Sequence, residues 1–533
     1  MFNVKKSLIA LLACLCVSAG SLAACGGEQG ASTHSSSKTS SETEQSSSEE
    51  TESSSFEEIE ESSSENSSHN DGYENPEKEV WEDWEEDGSV ATQGLHFVLN
   101  ADGASYAVKG LGTAVDKNIV IPAEYNGLPV TAILENAFWD KQTVQTVVIP
   151  NTIQSIGYEA FWNCTSLIRV SLPDSVQTVG ERAFYSCVAL KMVKLGAGVQ
   201  TIGESTFGNC ATLQFIQCAS SNPYFSTVDG SLYDKSQSKI IRYAVGRGAV
   251  KVILPDSVIE IGNYAFYQAN NLKKILFGSK LAKIGDYAFA DCSALQANLT
   301  FPETLVHIGD YAFSSCVKLE GELLLPDNLQ TIGGSAFKDC KRLTGTLIIP
   351  QSVTDIGESA FYNCRNFTAL DLQTSVQEIK EFTFYQCYNM HGKLSIPAGV
   401  QKIGAKAFGW CYGFTEIEFG EWLVELGDSA FYYCYNAANS LTLPESLQKI
   451  GNSAFAHCRA LPAVGIGNSV SAIGTDAFLD CSALKNLYLA NPNGWWRTDV
   501  EGTRLMSATE LSDSQKAAVY FTKNYVASRW ENK

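Results

Sequence analysis

The chain has 533 residues, a formal net charge of −21 and a hydrophobic fraction of 44%, which is enough apolar material for a large buried core. Beyond the N-terminus the sequence contains no stretch apolar enough to span a membrane. It also contains no basic stripe suited to nucleic acid. We therefore expect no nucleic-acid partner and no permanent transmembrane helix.

Residues 1–24 have the pattern of a secretory signal peptide. Lys5 and Lys6 precede an apolar run at residues 8–17, which is well short of the roughly 20 residues needed to cross a bilayer. The tetrapeptide LAAC, which ends at Cys25, resembles a bacterial lipobox, in which cleavage precedes the cysteine and a lipid is attached to its sulfur. The resemblance implies a protein that is lipid-anchored to the bacterial cell membrane through Cys25 and displayed at the cell surface. An ordinary cleaved signal peptide is the alternative.

Residues 25–89 form a segment rich in serine and glutamate. Residues 26–88 contain 20 acidic residues and two lysines, and so carry −18 of the chain's net charge of −21. Such a segment buries too little apolar surface to offset its ordering entropy, so we predict a disordered tether. Self-repulsion would extend the tether and hold the folded part away from the membrane. The acidity of the chain therefore says little about what the folded part binds.

Residues 90–132 are predicted to form an N-terminal cap. Apolar residues at 95–99 and 106–108 flank Asp102-Gly103, which is a hairpin signal. A hairpin at this place would cover the open sheet edge that the first coil of a stacked structure exposes.

Residues 133–490 consist of about fourteen copies of one unit, with a period of 23 or 24 residues. Each copy has the form L-x-x-hydrophobic-x-hydrophobic-P, followed by an Ile-Gly pair and then by Ala-Phe-x-x-Cys. In the copy at residues 167–187, alternation predicts a short strand that Pro173 ends. Gly180 permits a tight turn, and a short helical turn directs the ring of Phe184 inward.

One coil of this kind cannot enclose its own apolar residues. Coils must therefore stack with Leu on Leu, Ile on Ile and Phe on Phe, which gives a continuous core. The repeat predicts a solenoid with a parallel ladder of short β-strands, joined by short helical or irregular turns.

The period and the motif resemble leucine-rich repeats, and the Ile-Gly, Ala-Phe and Cys positions resemble those of BspA-like surface proteins. The resemblance covers residues 94–489 and implies a right-handed, curved leucine-rich-repeat solenoid with capping β-hairpin elements. The departures from the pattern are local. Lys141 and Ala269 stand at the cysteine position, and Lys380 replaces the glycine after Ile379.

Two regions break the period. Residues 219–249 contain an Asp-Gly pair between β-rich runs, which predicts a β-hairpin insert of a kind that BspA-like proteins carry. Residues 491–533 begin with two adjacent tryptophans at 495 and 496, and are predicted to form a C-terminal cap.

Cysteine recurs at one position of the repeat. These residues are Cys164, Cys187, Cys210, Cys292, Cys316, Cys340, Cys364, Cys387, Cys411, Cys434, Cys458 and Cys481. None belongs to a C-x-x-C pair, so the spacing of a zinc site is absent. Neighbouring rungs are within reach of a disulfide, but a regular ladder gives no pair selectivity. We predict mainly free, buried thiols that behave as small hydrophobic groups.

No motif for catalysis is present in the sequence. It has no nucleophile elbow, P-loop, Rossmann fingerprint or HExxH. Of the six histidines, His34 and His69 lie in the predicted tether, and the other four have no repeated Asp or Ser partner nearby in sequence. We predict no catalytic residues, no metal site and no cofactor, and a protein that is not an enzyme; a site assembled from distant coils is the alternative.

Aromatic residues are in excess directly after the Phe or beside the Cys of the repeat, and they are densest between residues 385 and 435. The predicted binding residues are Tyr385, Tyr388, Trp410, Tyr412, Tyr432, Tyr433 and Tyr435. Aromatic side chains with one exposed edge are typical of protein interfaces and can also stack on sugars. Packing between successive coils is the structural alternative.

The BspA-like resemblance implies adhesion. We expect a monomeric cell-surface lipoprotein that binds an extracellular protein of the host matrix, of a host cell or of another microbe, and that touches the membrane only through its lipid anchor. The alternative is a glycan-binding surface module for nutrient capture, which the aromatic residues favour.

Overall fold

The computed structural model describes residues 90–296 and 298–533. The predicted signal peptide, Cys25 and the predicted tether to residue 89 lie outside the described residues. The described part is a parallel β-solenoid of about 17 turns with little helix, which confirms the predicted fold class. There are more turns than repeat copies because strands of the N-terminal region and of the insert continue the stack.

The first row of strands is formed by the alternating residues of each repeat. In Arg169–Leu172 the side chains of Val170 and Leu172 are buried, while those of the other two residues are half-buried. Pro173 then ends the strand, since it has no N–H to extend the ladder. The first-row strands are Asn118–Val120, Thr146–Val148, Arg169–Leu172, Met192–Leu195, Phe215–Cys218, Lys251–Ile253, Lys274–Leu276, Glu320–Glu322, Arg342–Thr344, Thr346–Ile349, Ala369–Leu372, Gly392–Ser395, Phe414–Glu418, Leu441–Thr442, Ala463–Ile466 and Asn486–Leu489.

The second row contains mostly two-residue strands, and most of these are followed by the glycine of the Ile-Gly pair. Strands of this row pair in parallel with the equivalent strand one coil away. They are Tyr106–Gly110, Leu128–Ile133, Ser155–Ile156, Thr178–Val179, Thr201–Ile202, Lys239–Arg242, Glu260–Ile261, Lys283–Ile284, His307–Ile308, Thr331–Ile332, Asp355–Ile356, Glu378–Ile379, Lys402–Ile403, Glu425–Leu426, Lys449–Ile450 and Ala472–Ile473.

The glycine after a second-row strand is required by close approach rather than by a special turn conformation. A Cβ atom on Gly180 would lie 2.6 Å from the carbonyl carbon of Gly157 in the preceding coil. Only glycine lets the two backbones come so near. Where Lys380 replaces this glycine, the second row is interrupted between Asp355–Ile356 and Glu378–Ile379.

The Ala-Phe turns, which run from that glycine to the cysteine position, are not helical, contrary to the expectation from the sequence. Each turn holds two residues in the left-handed region, such as Arg182 at φ 54° and Ser186 at φ 61°. Their backbone amides donate between coils: the amide of Phe161 donates to the carbonyl oxygen of Ala183 at 2.7 Å. The left-handed residues reverse the chain tightly, and the turns form a third hydrogen-bonded ladder.

The phenylalanines of the Ala-Phe turns form the centre of the core. The ring of Phe184 stacks on that of Phe161 at 5.0 Å and on that of Phe207 at 5.8 Å between centroids. The rings therefore lie in register, as the repeat predicts. The equivalent buried rings are Phe138, Phe161, Phe184, Phe207, Phe266, Phe289, Phe313, Phe337, Phe361, Phe384, Phe408, Phe431, Phe455 and Phe478.

The cysteines of the repeat are free and buried. Each also does more than a small hydrophobic group would, because its thiol donates to the carbonyl oxygen of the phenylalanine one coil earlier. Cys164 Sγ lies 3.1 Å from Phe138 O, and Cys340 Sγ lies 3.1 Å from Phe313 O. The same carbonyl oxygens also accept a backbone amide of their own turn, as Phe138 O accepts from Lys141 N at 3.2 Å, so each thiol supplies a second donor in the core.

The insert forms the predicted hairpin and then rejoins the stack. Strands Phe225–Val228 and Ser231–Asp234 pair antiparallel, and Lys239–Arg242 pairs in parallel with Glu260–Ile261. A 3-10 turn follows at Val245–Arg247. The ring of Tyr243 stacks on that of Phe266 at 4.7 Å and so takes the place of a repeat phenylalanine.

Antiparallel strands cover both ends of the solenoid. At the N-terminal end, His96–Leu99 pairs with Tyr106–Gly110, and Glu124–Tyr125 pairs with Leu128–Ile133. At the C-terminal end, Arg529–Asn532 pairs antiparallel with Ala472–Ile473, the last second-row strand. The remaining C-terminal elements are the strands Trp495–Asp499 and Gly502–Leu505, the helices Ala508–Leu511 and Ser514–Val519, and the π-helical turn Tyr520–Asn524.

Candidate binding surface

The predicted binding residues lie on the Ala-Phe turns, at three positions of the repeat. One position follows the Phe, one precedes the Cys and one follows the Cys. Because equivalent positions of successive coils lie beside one another, each position forms a column of side chains along the solenoid. All seven predicted residues are half-buried. Each therefore keeps part of its ring accessible to a partner.

The column that follows the Cys is a stack of three tyrosines between two arginines. The ring of Tyr412 lies 5.1 Å from that of Tyr388 and 5.0 Å from that of Tyr435, in nearly parallel planes. The guanidinium of Arg365 lies 5.3 Å from the ring of Tyr388, and that of Arg459 lies 5.2 Å from the ring of Tyr435. These cation–π contacts close both ends of the stack.

The column that precedes the Cys contains Trp410, Tyr433 and His457. The ring of Tyr433 lies 4.8 Å from that of Trp410 and 4.1 Å from that of His457. All three residues have left-handed backbones, with φ of 63° or 64°. In most other coils this position holds Asn, Asp, Ser or Gln. Asparagine and aspartate tolerate the left-handed region well, whereas bulky side chains are disfavoured there.

The column that follows the Phe contributes Tyr432 to this group and leaves Tyr385 at its edge. Tyr432 contacts the rings of Tyr433 and His457 edge-on, at 4.4 and 5.2 Å. The ring of Tyr385 contacts those of Tyr362 and Phe382, each at 5.3 Å between centroids. The structure therefore brings six of the seven predicted residues into one cluster.

We call this cluster the ring face. The ring face comprises Tyr388, Trp410, Tyr412, Tyr432, Tyr433, Tyr435 and His457, with Arg365 and Arg459 at its two ends.

Polar contacts hold the charged groups of the ring face in place. Asp480 Oδ2 lies 2.9 Å from His457 Nδ1 and accepts a hydrogen bond from Arg459 Nε at 2.8 Å. These two contacts hold the pKa of the Asp480 carboxyl below its usual value. At the other end, Arg365 Nε donates to Asn363 Oδ1 at 2.6 Å. Both guanidiniums are thus oriented before any partner binds.

Burial raises the pKa of three tyrosines of the ring face above the ordinary value of a phenol. Burial, and next the neighbouring hydroxyls of Tyr388 and Tyr435, raise the pKa of Tyr412 to about 12. Burial also raises the pKa of Tyr435, as it does that of Tyr432, which in addition shares a hydrogen bond with Tyr433. Within the described part of the chain, the hydroxyls of Tyr388, Tyr412 and Tyr435 have no hydrogen-bond partner. These phenols can donate to a partner.

Arg365, Arg459 and His457 were not predicted from the sequence as members of this surface. The signal was present, because both arginines directly follow a repeat cysteine, as Tyr388, Tyr412 and Tyr435 do. Reading that position as one column, rather than searching for rings alone, would have found the arginines. His457 stands at the position before the cysteine, as Trp410 and Tyr433 do.

The described residues contain no cluster of three His, Cys, Asp or Glu side chains that could hold a metal ion. No helix within residues 90–296 or 298–533 is long and apolar enough to cross a membrane.

Comparisons with solved structures return leucine-rich-repeat proteins, several of them from bacteria. A leucine-rich repeat protein from Bacteroides ovatus is 24% identical, covers 75% of this chain and 94% of its own, and has a TM-score of 0.45. A leucine rich cell surface protein from Faecalibacterium prausnitzii is 23% identical, with coverage of 75% and 94% and a TM-score of 0.34. The pneumococcal vaccine antigen PcpA is 19% identical, with coverage of 68% and 93% and a TM-score of 0.37. No curated protein matches the chain.

The repeat itself is diagnostic of a family. The model of the BspA type leucine rich repeat region matches residues 129–243, 246–345, 321–436 and 391–494, and so spans more than half of the chain. The departures at Lys141, Ala269 and Lys380 leave the match intact. The chain therefore belongs to the BspA-type leucine-rich-repeat family.

Proposed function

We propose that this chain is an exported bacterial surface protein, anchored by a lipid at Cys25, which binds an extracellular protein through the ring face. The proposal depends on one observation: half-buried Tyr and Trp rings from several coils form one continuous surface, with an exposed Arg side chain at each end of its tyrosine stack. Tyr, Trp and Arg are the residue types that contribute most of the binding energy at protein interfaces. Their rings also lose little conformational entropy on binding, because neighbouring rings already hold them.

The geometry of the stack favours a protein partner over a sugar at this surface. A sugar binds an aromatic residue by lying on the face of its ring. The faces of Tyr412 are covered by Tyr388 and Tyr435, at 5.1 and 5.0 Å. Ring edges and hydroxyl groups remain accessible, and these suit the mixed polar and apolar surface of a protein.

The backbone of the ring face supports selection for binding rather than for stability. Trp410 and Tyr433 adopt left-handed conformations that disfavour bulky side chains. Most coils avoid this cost with Asn, Asp, Ser or Gln at the same position. Strain of this kind is concentrated at functional sites. We infer that the rings are retained for what they contact outside the chain.

A binding role also follows from the scaffold. A solenoid of this type stacks its core residues in register and leaves the outer turn positions free to vary, so it presents a surface rather than an enclosed reaction site. We propose that the protein is not an enzyme and that its partners are proteins of a host or of other microbes.

The test compares two triple variants in the full chain. Trp410→Ala/Tyr412→Ala/Tyr435→Ala removes three rings of the ring face. Ser315→Ala/Val317→Ala/Lys341→Ala changes the same repeat positions in coils that have no ring at these positions. Binding is measured on a panel of immobilised extracellular-matrix proteins and on a glycan array, and folding is checked by thermal unfolding.

We expect the unaltered chain to bind at least one matrix protein, the ring variant to lose that binding by about tenfold or more, and the matched variant to keep it. Equal binding by the ring variant and the unaltered chain would disprove the assignment. Binding on the glycan array that depends on the same three rings would establish the glycan alternative instead.

A further inference from the structure

A cavity of about 530 Å³ lies at the N-terminal end of the solenoid, remote in sequence from the ring face. It is lined on one side by the N-terminal hairpin, through His96 and Lys109, and on the other by the first Ala-Phe turn, through Asn136, Trp139 and Lys141. A cavity of this size is in the range that holds a small organic ligand.

Glycines of the hairpin bring its backbone against the first coil and so form the wall of this cavity. Gly112 has a left-handed backbone with φ of 58°, and a Cβ on it would lie 2.2 Å from the carbonyl oxygen of Gly94. A Cβ on Gly110 would lie 2.9 Å from the carbonyl oxygen of Ala137 in the first Ala-Phe turn. A side chain at Gly110 would therefore push the hairpin away from the turn, whereas a side chain at Gly112 would clash with Gly94 and His96 within the N-terminal cap itself.

Trp139 offers an open ring face to this cavity, unlike the tyrosines stacked in the ring face. Its indole stacks on that of Trp162 at 5.2 Å with an interplanar angle of 8°. Trp139 stands on the first Ala-Phe turn, so no earlier turn supplies a ring for its other side, and the described residues make no second ring contact with it. The residue is 43% exposed. A flat, partly exposed indole is suited to stacking on a sugar ring.

The side chains that line the cavity beside Trp139 include three basic groups and no acidic group, although the Asp140 carboxylate lies close enough to Lys141 for the charge of Lys141 to help lower the pKa of Asp140. Lys109, Lys141 and His96 are exposed and form no ion pair or side-chain hydrogen bond within the described part of the chain. The neighbouring carboxylate of Asp140 is already engaged, because it accepts hydrogen bonds from Gln142 at 3.0 Å and from the next coil's Asn163 at 2.6 Å. Two ammonium groups are therefore available to an anion.

The replacement at Lys141 makes this coil different from the others. The position holds a buried, free cysteine in twelve other coils, and there the thiol donates to a carbonyl oxygen in the core. On the first Ala-Phe turn it holds an exposed lysine that lines the cavity instead. The chain thus departs from its own repeat at the place where the departure adds a positive charge beside an open indole.

We propose that this cavity binds an anionic saccharide, with a sugar ring on Trp139 and its carboxylate or sulfate group between Lys109 and Lys141. The site is independent of the protein partner proposed for the ring face. Charge-assisted hydrogen bonds from the two ammonium groups hold the anion. The indole supplies the apolar contact that distinguishes a sugar acid from a free inorganic anion.

The test is isothermal titration calorimetry on the full chain with three probes: sialyllactose, which carries a carboxylate, a heparin-derived sulfated disaccharide, and neutral lactose. The variant Lys109→Gln/Lys141→Gln removes both charges at exposed positions, so folding is retained. The control variant Lys273→Gln/Lys280→Gln removes two exposed lysines on coils away from the cavity. Trp139→Phe reduces the aromatic surface available to a sugar ring, and Trp139→Ala removes it.

We expect at least one anionic probe to bind, lactose not to bind, and the affinity to fall as the salt concentration rises. The Lys109→Gln/Lys141→Gln variant should bind the anionic probe with an affinity at least about tenfold lower than that of the unaltered chain, while the affinity of the control variant is unchanged. Trp139→Ala should weaken binding more than Trp139→Phe does. Binding of sialyllactose alone identifies the carboxylate as the recognised group, and binding of the sulfated sugar alone identifies the sulfate.

The proposal is overturned if neither anionic probe binds, if lactose binds equally well, or if the Lys109/Lys141 variant binds like the unaltered chain. The ring-face variants leave this cavity intact, and the lysine variants leave the ring face intact. A loss of protein binding and a loss of saccharide binding can therefore be measured independently, and each tests only one proposal.

Discussion

The coils around residues 287–341 and those around residues 385–459 have the same interior and different surfaces. Phe313 and Phe337 stack at 5.3 Å in the first region, and Phe408 and Phe431 stack at 5.3 Å in the second. The repeat thiols donate to a phenylalanine carbonyl oxygen in both regions, at 3.1 Å from Cys340 and at 3.4 Å from Cys434. Core packing therefore does not distinguish the two regions.

The difference lies in the residues on either side of the cysteine. Before the cysteine, the first region has Asp291, Ser315 and Asp339, where the second has Trp410, Tyr433 and His457. Both sets adopt the same left-handed backbone. At the position before the cysteine, one coil geometry thus carries either a half-buried polar side chain or a ring, although the first region has stacked tyrosines elsewhere on its turns, at Tyr287 and Tyr311. The comparison teaches that in this solenoid the outer turn positions can change without any change in the stack.

The largest expected effect comes from alkali, which acts on the interior that both regions share. Burial raises the pKa of the thiols of Cys292, Cys387 and Cys434 to about 12, from an ordinary value of 9.0. Because the folded-state pKa is raised, these protonated thiols stabilise the fold fully below pH 9.0, and this stability is lost as the pH rises towards 12. We expect the free energy of unfolding to fall steeply over this interval, measured by urea denaturation at successive pH values.

Thiol labelling provides the control for the alkali experiment. At neutral pH a disulfide reagent should react first with Cys218, which is half-buried in the insert, and leave the repeat cysteines of both regions protected. Rapid labelling of the repeat cysteines of only one region, without denaturant, would show that the interiors of the two regions differ.

The second prediction tests whether the interiors are equivalent one residue at a time. Phe313→Ala and Phe408→Ala each remove a fully buried ring from between two neighbours. Each should lower the free energy of unfolding by about 3–5 kcal/mol, because the cavity cannot close between stacked coils. Urea denaturation of both variants measures the loss. If the free energy of unfolding falls much less in one variant than in the other, the core around residues 385–459 is not packed like the core around residues 287–341.

The smallest effect on stability, with a clear effect on binding, is expected from Trp410→Asn. Asparagine suits the left-handed backbone at this position and relieves strain, while the substitution removes the contact with Tyr433. Relief of the backbone strain stabilises the fold and loss of the ring contact destabilises it, so the free energy of unfolding should change by less than about 1 kcal/mol. Binding to the protein partner should weaken by about tenfold or more. Ser315→Asn, at the same position of a polar coil, should leave both quantities unchanged.

A loss of several kcal/mol in Trp410→Asn, with unchanged partner binding, would mean that the rings stabilise the stack rather than recognise a partner. That outcome would support the alternative in which Trp410, Tyr412 and Tyr433 only pack between coils.

The repeat predicted most of the fold, and the exceptions are instructive. The register of Phe161, Phe184 and Phe207 and the free, buried cysteines are confirmed. The role of the thiols as donors was missed, because the carbonyl oxygen that accepts from each belongs to the preceding coil. The helical turn was wrong because the motif does not reveal that Arg182 and its equivalents have positive φ.

The candidate site was predicted in composition but not in arrangement. The sequence indicated seven aromatic residues, of which six are brought together, while Tyr385 packs against Tyr362 and Phe382. Arg365 and Arg459 were not predicted, since their importance depends on lying at the two ends of a tyrosine stack. The cavity beside Trp139 was not predicted either, because the hairpin and the first coil form it jointly.

The sequence by itself determined that the chain is a stack of near-identical coils, because a unit that cannot enclose its own apolar residues must bury them against its copies. It also determined which residues enter the core, since these recur at every period. Only the tertiary structure decided which outer side chains meet. Tyr388, Tyr412 and Tyr435 stack because neighbouring coils lie about 5 Å apart, and that spacing, together with the direction of each turn, is set by the backbone ladders between coils.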